Sequence, residues 1–232
     1  MPKRGAGRTR IREVLATRDP AFRPAHRLLA ASLPAGEVVS IREWRHTLAE
    51  RSAGVWTDQC WHLLVAERGG RVLGMTSGTY LGSHNVGMIG YLVLHPSLRK
   101  QGIGPRLRNR LRTCFERDAR ATRGEPLTAI VGEVDAANPW LLNLMRRAGA
   151  LALDFPYYQP SLRAEDPPSP LVLYYQPLTR PRRFLPVDEV RRLIYAIWRR
   201  LYRIAKPLQR PAFRLMLRSL RGRRRVAGRA GI

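Results

Sequence analysis

The sequence predicts an α/β (α+β) domain of about seven strands flanked by helices, followed by a basic helical extension. Three observations carry that expectation. A run of apolar and β-favouring residues, Met88 to Leu94, stops at His95-Pro96 and passes through two glycines into an arginine-rich helix. Just upstream, two apolar runs are joined by Glu67-Arg68-Gly69-Gly70, a hairpin signal because Gly-Gly adopts positive φ at little steric cost. After Thr179 the pattern changes to helical spacing saturated with arginine.

In order along the chain, residues 1–9 are glycine and basic side chains, read as a frayed basic tail. Residues 10–178 form the predicted domain, and 179–232 the extension. Arg10 to Thr17 reads as a first strand, and Asp19-Pro20 starts the helical part. Phe22, Leu28, Leu29 and Leu33 mark one helix and Val39 to Leu48 a second, divided by Pro34-Ala35-Gly36. Trp61 to Ala66, Arg71 to Tyr80 and Met88 to Leu94 form a meander of three strands. Leu127 to Val134 is the next strand, and Asn138-Pro139 opens a helix that ends at Ala148-Gly149. Ala150 to Asp154 and Leu171 to Tyr175 complete the strands, separated by a proline-rich loop.

The chain has 232 residues, 44% of them apolar, which is enough to bury a sizeable core. Its 42 basic and 17 acidic residues give a formal charge of +25, nearly all of it arginine, since lysine occurs only at Lys3, Lys100 and Lys206. Cys60 and Cys114 lack disulfide or metal spacing and read as small buried hydrophobes. The histidines show no ligand grouping, so no metal is expected. The basic N-terminus has no apolar run after it, and no run approaches the ~20 residues that span a bilayer, so the expected location is cytoplasmic.

Arg99 to Gly104 leads straight into Pro105, which suits a first helical turn, and then into Leu107, Leu111, Cys114 and Phe115 at helical spacing. Backbone N–H groups and the helix dipole at such a start favour anions, and glycines let a phosphate approach the main chain. A dinucleotide fingerprint is disfavoured because its third glycine position holds Leu107, and a P-loop because G-K-[ST] is absent. Arg99, Gly102 and Gly104 instead resemble motif A of the GCN5-related N-acetyltransferases (GNAT), R/Q-x-x-G-x-G/A, within V-x-H-P-x-x-R-x-x-G-x-G. The element order β-αα-βββ-α-β-α-ββ resembles the same family over roughly residues 10–178. E-V-D-A-A-N-P and Y-Y-Q-P-S-L are similar to phrases in bacterial members.

The resemblance implies a central, mixed, mostly antiparallel twisted sheet, and acetyl-CoA as cofactor. It places the CoA opening, at a bulge in the fourth strand, between Leu92, Val93 and Leu94 and the run Ile130 to Glu133. The pyrophosphate would lie on Arg99, Lys100, Gln101, Gly102, Ile103, Gly104 and Pro105, with Asn138 as a helix cap and further contact. It also implies direct attack by a primary amine in a ternary complex, so neither cysteine need be a nucleophile. Many relatives carry an acidic tyrosine where this sequence has Met145, in Leu144-Met145-Arg146-Arg147-Ala148-Gly149-Ala150. Tyr158 and Tyr157 are the substitutes in sequence. Glu133 is the first choice for base, because a carboxylate ending an apolar strand is desolvated and its pKa rises. Asp135, Glu37 and His84 are reserves.

In the extension, residues 187, 190, 194, 197, 201 and 204 recur on one helical face, with Arg191, Arg192, Arg199, Arg200 and Arg203 elsewhere, and Pro207 and Pro211 end the pattern. Three roles stay open: packing on the domain or on a second copy, an interfacial helix on anionic lipid, and nucleic-acid contact through phosphates. The acceptor amine is not written in the sequence. The competing functional reading is a weak or inactive CoA-binding protein of the same fold, whose basic C-terminus engages a polyanion or a membrane.

Overall fold

The computed structural model describes residues 8–162 and 166–229, so residues 1–7 of the expected basic tail and 163–165 of the proline-rich loop lie outside the described residues. Two compact units divide between Pro126 and Leu127.

The first unit contains β1 (Arg10–Glu13), α1 (Phe22–Ala30), α2 (Ile41–Ser52), β2 (Gln59–Arg68), β3 (Arg71–Leu81), β4 (Val86–Leu94) and α3 (Ile103–Arg123). The strands pair antiparallel in the order β1, β2, β3, β4. Leu63 and Val65 of β2 pack with Phe22, Leu29, Trp44 and Leu48 of α1 and α2. The alternate residue His62 meets Phe115 of α3, so helices cover both faces of this sheet. Ser40 starts α2 by accepting a 3.2 Å hydrogen bond from Glu43 N–H.

The long helix α3 buries Ile103, Leu107, Leu111, Cys114, Phe115 and Ala119 along one stripe. It comes so close to the sheet that a Cβ on Gly87 would lie 2.1 Å from the Phe115 ring. Glycine is required there for space, not for an unusual φ. The β3–β4 register slips between Ser77 and Gly78 of β3: Ser77 faces Tyr91 while Gly78 faces Ile89, leaving Gly90 as the extra residue of a bulge in β4. Beyond the bulge the Tyr91 hydroxyl donates to Glu37 C=O at 2.7 Å and accepts from Val39 N–H at 3.3 Å, tying the α1–α2 connection to β4.

The second unit contains β5 (Ala129–Val134), α4 (Pro139–Ala148), β6 (Leu151–Ala152), β7 (Tyr157–Gln159), β8 (Ser169–Pro177), β9 (Phe184–Pro186), α5 (Val187–Ala196), α6 (Pro211–Ser219) and β10 (Arg225–Ala227). The strand β8 pairs antiparallel with β5, β6 and β7. A separate ribbon joins β9 to β10. The four paired strands of the first unit and the four of the second, β5 to β8, give the predicted mostly antiparallel α/β class. The sequence reading undercounts because β7, β9 and β10 have three residues each, too few for alternation to register.

The apolar face expected in the extension is largely interior. Val187, Val190, Ile194 and Ile197 are buried, together with Trp198 and Phe213, whose rings meet edge to face at 5.1 Å. The helical run to residue 204 is not continuous, however. It ends at Ala196 and passes into a π turn, Ile197–Leu201, after which Arg203 has φ 55. Among the described residues no helix is long and apolar enough to cross a membrane.

Candidate active site

After β4 the chain makes a 3-10 turn, Pro96–Leu98, and then an exposed bend of Arg99, Lys100, Gln101 and Gly102 into α3. Lys100 and Gly102 both have positive φ, 59 and 71, which curls successive N–H groups toward one side. Pro105 occupies the third helical position, where its missing N–H costs nothing. A Cβ on Gly102 would meet nothing within 4 Å, so only its backbone angle asks for glycine. One on Gly104 would meet Leu94 at 3.5 Å and Leu92 at 3.8 Å, ordinary contacts. Among the described residues nothing requires glycine at 104.

The other expected cofactor residues divide by orientation. Val93 packs into the core of α1 and α2, whereas Leu92 and Leu94 lie on the side of Gly104. Ile103 is buried, leaving its main chain for a ligand. The Gln101 side chain is engaged at 2.6 Å by Arg68, and itself donates to Ser97 C=O at 2.6 Å. Arg68, at the end of the Gly69-Gly70 hairpin, is thus a further cation at the turn that sequence order does not announce.

In the second unit, Glu133 of β5 lies opposite Leu173 of β8. One carboxylate oxygen, Oε1, accepts from the Tyr157 hydroxyl, and the other, Oε2, from Tyr202. Burial pushes this carboxyl up to about 7, against the two phenol hydrogen bonds that pull it down. Burial and the neighbouring carboxylate hold the Tyr157 phenol well above its ordinary value. Tyr158 takes the opposite side of the short strand, its N–H on Met216 Sδ at 3.4 Å and its carbonyl accepting from Trp198 Nε1 at 3.2 Å. Of the two tyrosines singled out in the sequence, Tyr157 is therefore the one brought to Glu133. Tyr202 lies 69 residues from Glu133, and no local pattern points to it.

Asn138 caps α4, its Oδ1 accepting from Trp140 N–H at 3.0 Å. Asp135 is engaged in the same turn by Ala137 N–H at 2.7 Å. Met145 is half-buried on α4. Glu37 is exposed, and His84 pairs with Ser83 in the β3–β4 turn, at the opposite end of β4 from Gly102.

A second polar cluster lies under α3. His62 presents Nδ1 to Glu13 at 2.6 Å and Nε2 to Asp118 at 2.5 Å, with Arg51 also on Glu13 at 2.6 Å. The groups Glu13, His62, Cys114 and Cys60, His62, Asp118 each hold ligand-type atoms within 4.8 Å of one another. They come from β1, β2 and α3, so motif spacing does not reveal them. Both imidazole nitrogens are already taken by carboxylates.

Residues 22–150 match the family model described as Acetyltransferase (GNAT) family. This chain belongs to the GNAT family of acetyltransferases. It is accordingly an N-acetyltransferase, with acetyl-CoA as its cofactor. A GNAT-family protein of Bacteroides thetaiotaomicron has a similar fold, with 18% identity over 83% of this chain and 98% of that one and a TM-score of 0.61. The fold of yncA from Salmonella typhimurium, solved with its cofactor acetyl-CoA, is also similar, at 18% identity, 75% and 96% coverage and a TM-score of 0.51. So is that of the ribosomal-protein-S18-alanine N-acetyltransferase of Escherichia coli, at 14% identity, 75% and 96% coverage and a TM-score of 0.51. Among curated proteins no sequence matches. In this GNAT protein the Arg99 to Gly104 turn fits a pyrophosphate on chemical grounds: curled N–H groups, a helix start, cations at Arg99 and Lys100, and unobstructed main chain at Gly104.

Proposed function

We propose that the protein acetylates a primary amine by direct attack on acetyl-CoA in a ternary complex, with the Arg99 to Gly104 turn holding the pyrophosphate and Glu133 acting as general base. The observation that carries the reading is the glycine turn at the start of α3, whose second glycine no internal contact requires. Acetyl-CoA supplies the activated acyl group. The chain's own residues bind it through main-chain N–H groups and remove a proton from the amine. A carboxyl with a value of about 7 is well matched to that transfer near neutral pH. Tyr157, held well above its ordinary value, serves as a hydrogen-bond donor to Glu133 and is a poor proton donor to a thiolate. Once protonated, Glu133 is itself acidic enough to return the proton to a thiolate of ordinary pKa, about 8.5. The catalytic role expected for the Met145 position thus passes to a carboxylate.

Calorimetric titration with acetyl-CoA, then thiol detection across a panel of primary amines, tests the reading. Saturable binding and amine-dependent CoA release support it; absence of binding sinks it.

A second reading concerns the basic end of the chain. No Asp or Glu occurs after Glu189, and an open groove of about 440 Å³ on α6 is lined by Pro211, Leu217, Arg214, Arg218 and Arg221. We infer that this face meets an anionic surface. Binding to anionic but not neutral vesicles, lost as salt rises, is the expected result, and equal binding to both removes the reading.

A further inference from the structure

We propose that Tyr202, supplied by the chain beyond the region matching the family model, is a positioning residue for Glu133 in acetyl transfer, holding Oε2 while Tyr157 holds Oε1. The inference rests on reading Glu133 as the base, and deepens it. The family match ends at residue 150, and the two phenols that fix the carboxylate both come from later in the chain.

The delivery of Tyr202 is specific. The helix α5 is anchored by buried Val190 and Ile194, and a π turn succeeds it at Ile197–Leu201. Such a turn inserts an extra residue into the helical register and re-aims the side chains beyond it. Tyr202 N–H closes it on Ile197 C=O at 3.2 Å, and Ile204 N–H returns to Trp198 C=O at 3.0 Å. Trp198 in turn donates to the carbonyl of Tyr158, next to Tyr157. The mount of Tyr202 is therefore bonded to the strand that carries Tyr157. A purely apolar packing role would need neither hydroxyl. With both in place each carboxylate oxygen has a donor, which fixes the plane of the carboxylate and favours its charged, proton-accepting form.

The test uses the full chain with ¹³C-labelled glutamate carboxyls, the Glu133 resonance being assigned by its loss in Glu133→Gln. In wild type the carboxyl is expected to titrate near 7. Tyr202→Phe keeps the ring and removes one donor, so the titration moves upward by about one pH unit, the scale of one hydrogen bond to a charged group. With whichever amine of the panel releases most CoA, the acid limb of turnover moves upward by the same amount, while the KM for acetyl-CoA stays unchanged. A titration and an acid limb that both superpose on wild type overturn the proposal, even if the melting temperature falls, because Tyr202 is then a tether only. If Glu133→Gln turns over like wild type, the base reading fails, and with it the catalytic part of the proposal. The carboxyl titration separately decides whether the Tyr202 contact governs Glu133. Tyr157→Phe, measured alongside, reports the same quantity from the other oxygen.

Discussion

His62 Nε2 stands 2.5 Å from Asp118 Oδ2 in the interior beneath α3, while its other nitrogen is held by Glu13. Burial opposes the charged imidazole, but hydrogen bonds with Asp118, Cys114, Cys60 and Glu13 outweigh it and hold its pKa well above the ordinary 6.5. Burial likewise raises Glu13, and His62 and Arg51 overcome that and bring it down to about 2. The raised histidine contributes stability that is fully present below 6.5 and is lost as pH rises through its folded value. The depressed glutamate contributes above 4.5 and loses its contribution as pH falls toward 2. Thermal melts across pH should show this cluster supporting the fold most strongly between those limits. His62→Gln, which takes the charged partner from Asp118 and leaves Glu13 to Arg51, is expected to cost about 3–5 kcal/mol. An unchanged melting temperature would remove the cluster from the account of stability.

The glycine turn makes two separable predictions. A Cβ at 104 meets only ordinary contacts, so Gly104→Ala should leave the melting temperature nearly unchanged, while Gly104→Glu, which sets a carboxylate against the proposed pyrophosphate site, should weaken acetyl-CoA binding at least tenfold in calorimetry. Gly102→Ala places a Cβ at φ 71 and should destabilise by about 1 kcal/mol before any effect on binding. The opposite pattern would move the pyrophosphate elsewhere.

Glu133→Gln is expected to lower turnover by about 10²-fold or more while leaving acetyl-CoA affinity within a factor of two. The wild-type rate should rise with pH through about 7, because only the ionised carboxylate accepts a proton. A rate that stays flat over about one pH unit either side of that value would argue against this base.

Trp198 is fully buried against Phe213 and donates to Tyr158. Trp198→Ala should cost about 3–5 kcal/mol by urea unfolding. Deleting residues 180–232 strips Val190, Trp198 and Phe213 from the second unit, and the truncated protein should precipitate. A truncated chain that stays soluble and binds acetyl-CoA would make the extension an accessory.

Much of the fold is legible in the residues because long elements carry their own period. The three meander strands, the glycine start of α3 and the Asn138 cap all arise from local patterning. The short strands do not, since three residues show no alternation. The candidate site divides in the same way. Gly102 and Gly104 announce themselves through backbone requirements that are local, whereas Tyr202 reaches Glu133 through a π turn whose offset has no sequence signature. His62 is equally hidden, because its partners are 49 and 56 residues away.

The close fit of Gly87 beneath Phe115 fixes how these two positions can drift over evolutionary time. A methyl at 87 is barred while the ring is present, and a smaller side chain at 115 leaves a void while the glycine is present. Neither change is tolerated first without cost, so relatives should carry the two substitutions together or not at all. Gly87→Ala should do less harm in a Phe115→Leu background than in wild type, so the two positions are free to change only as a pair.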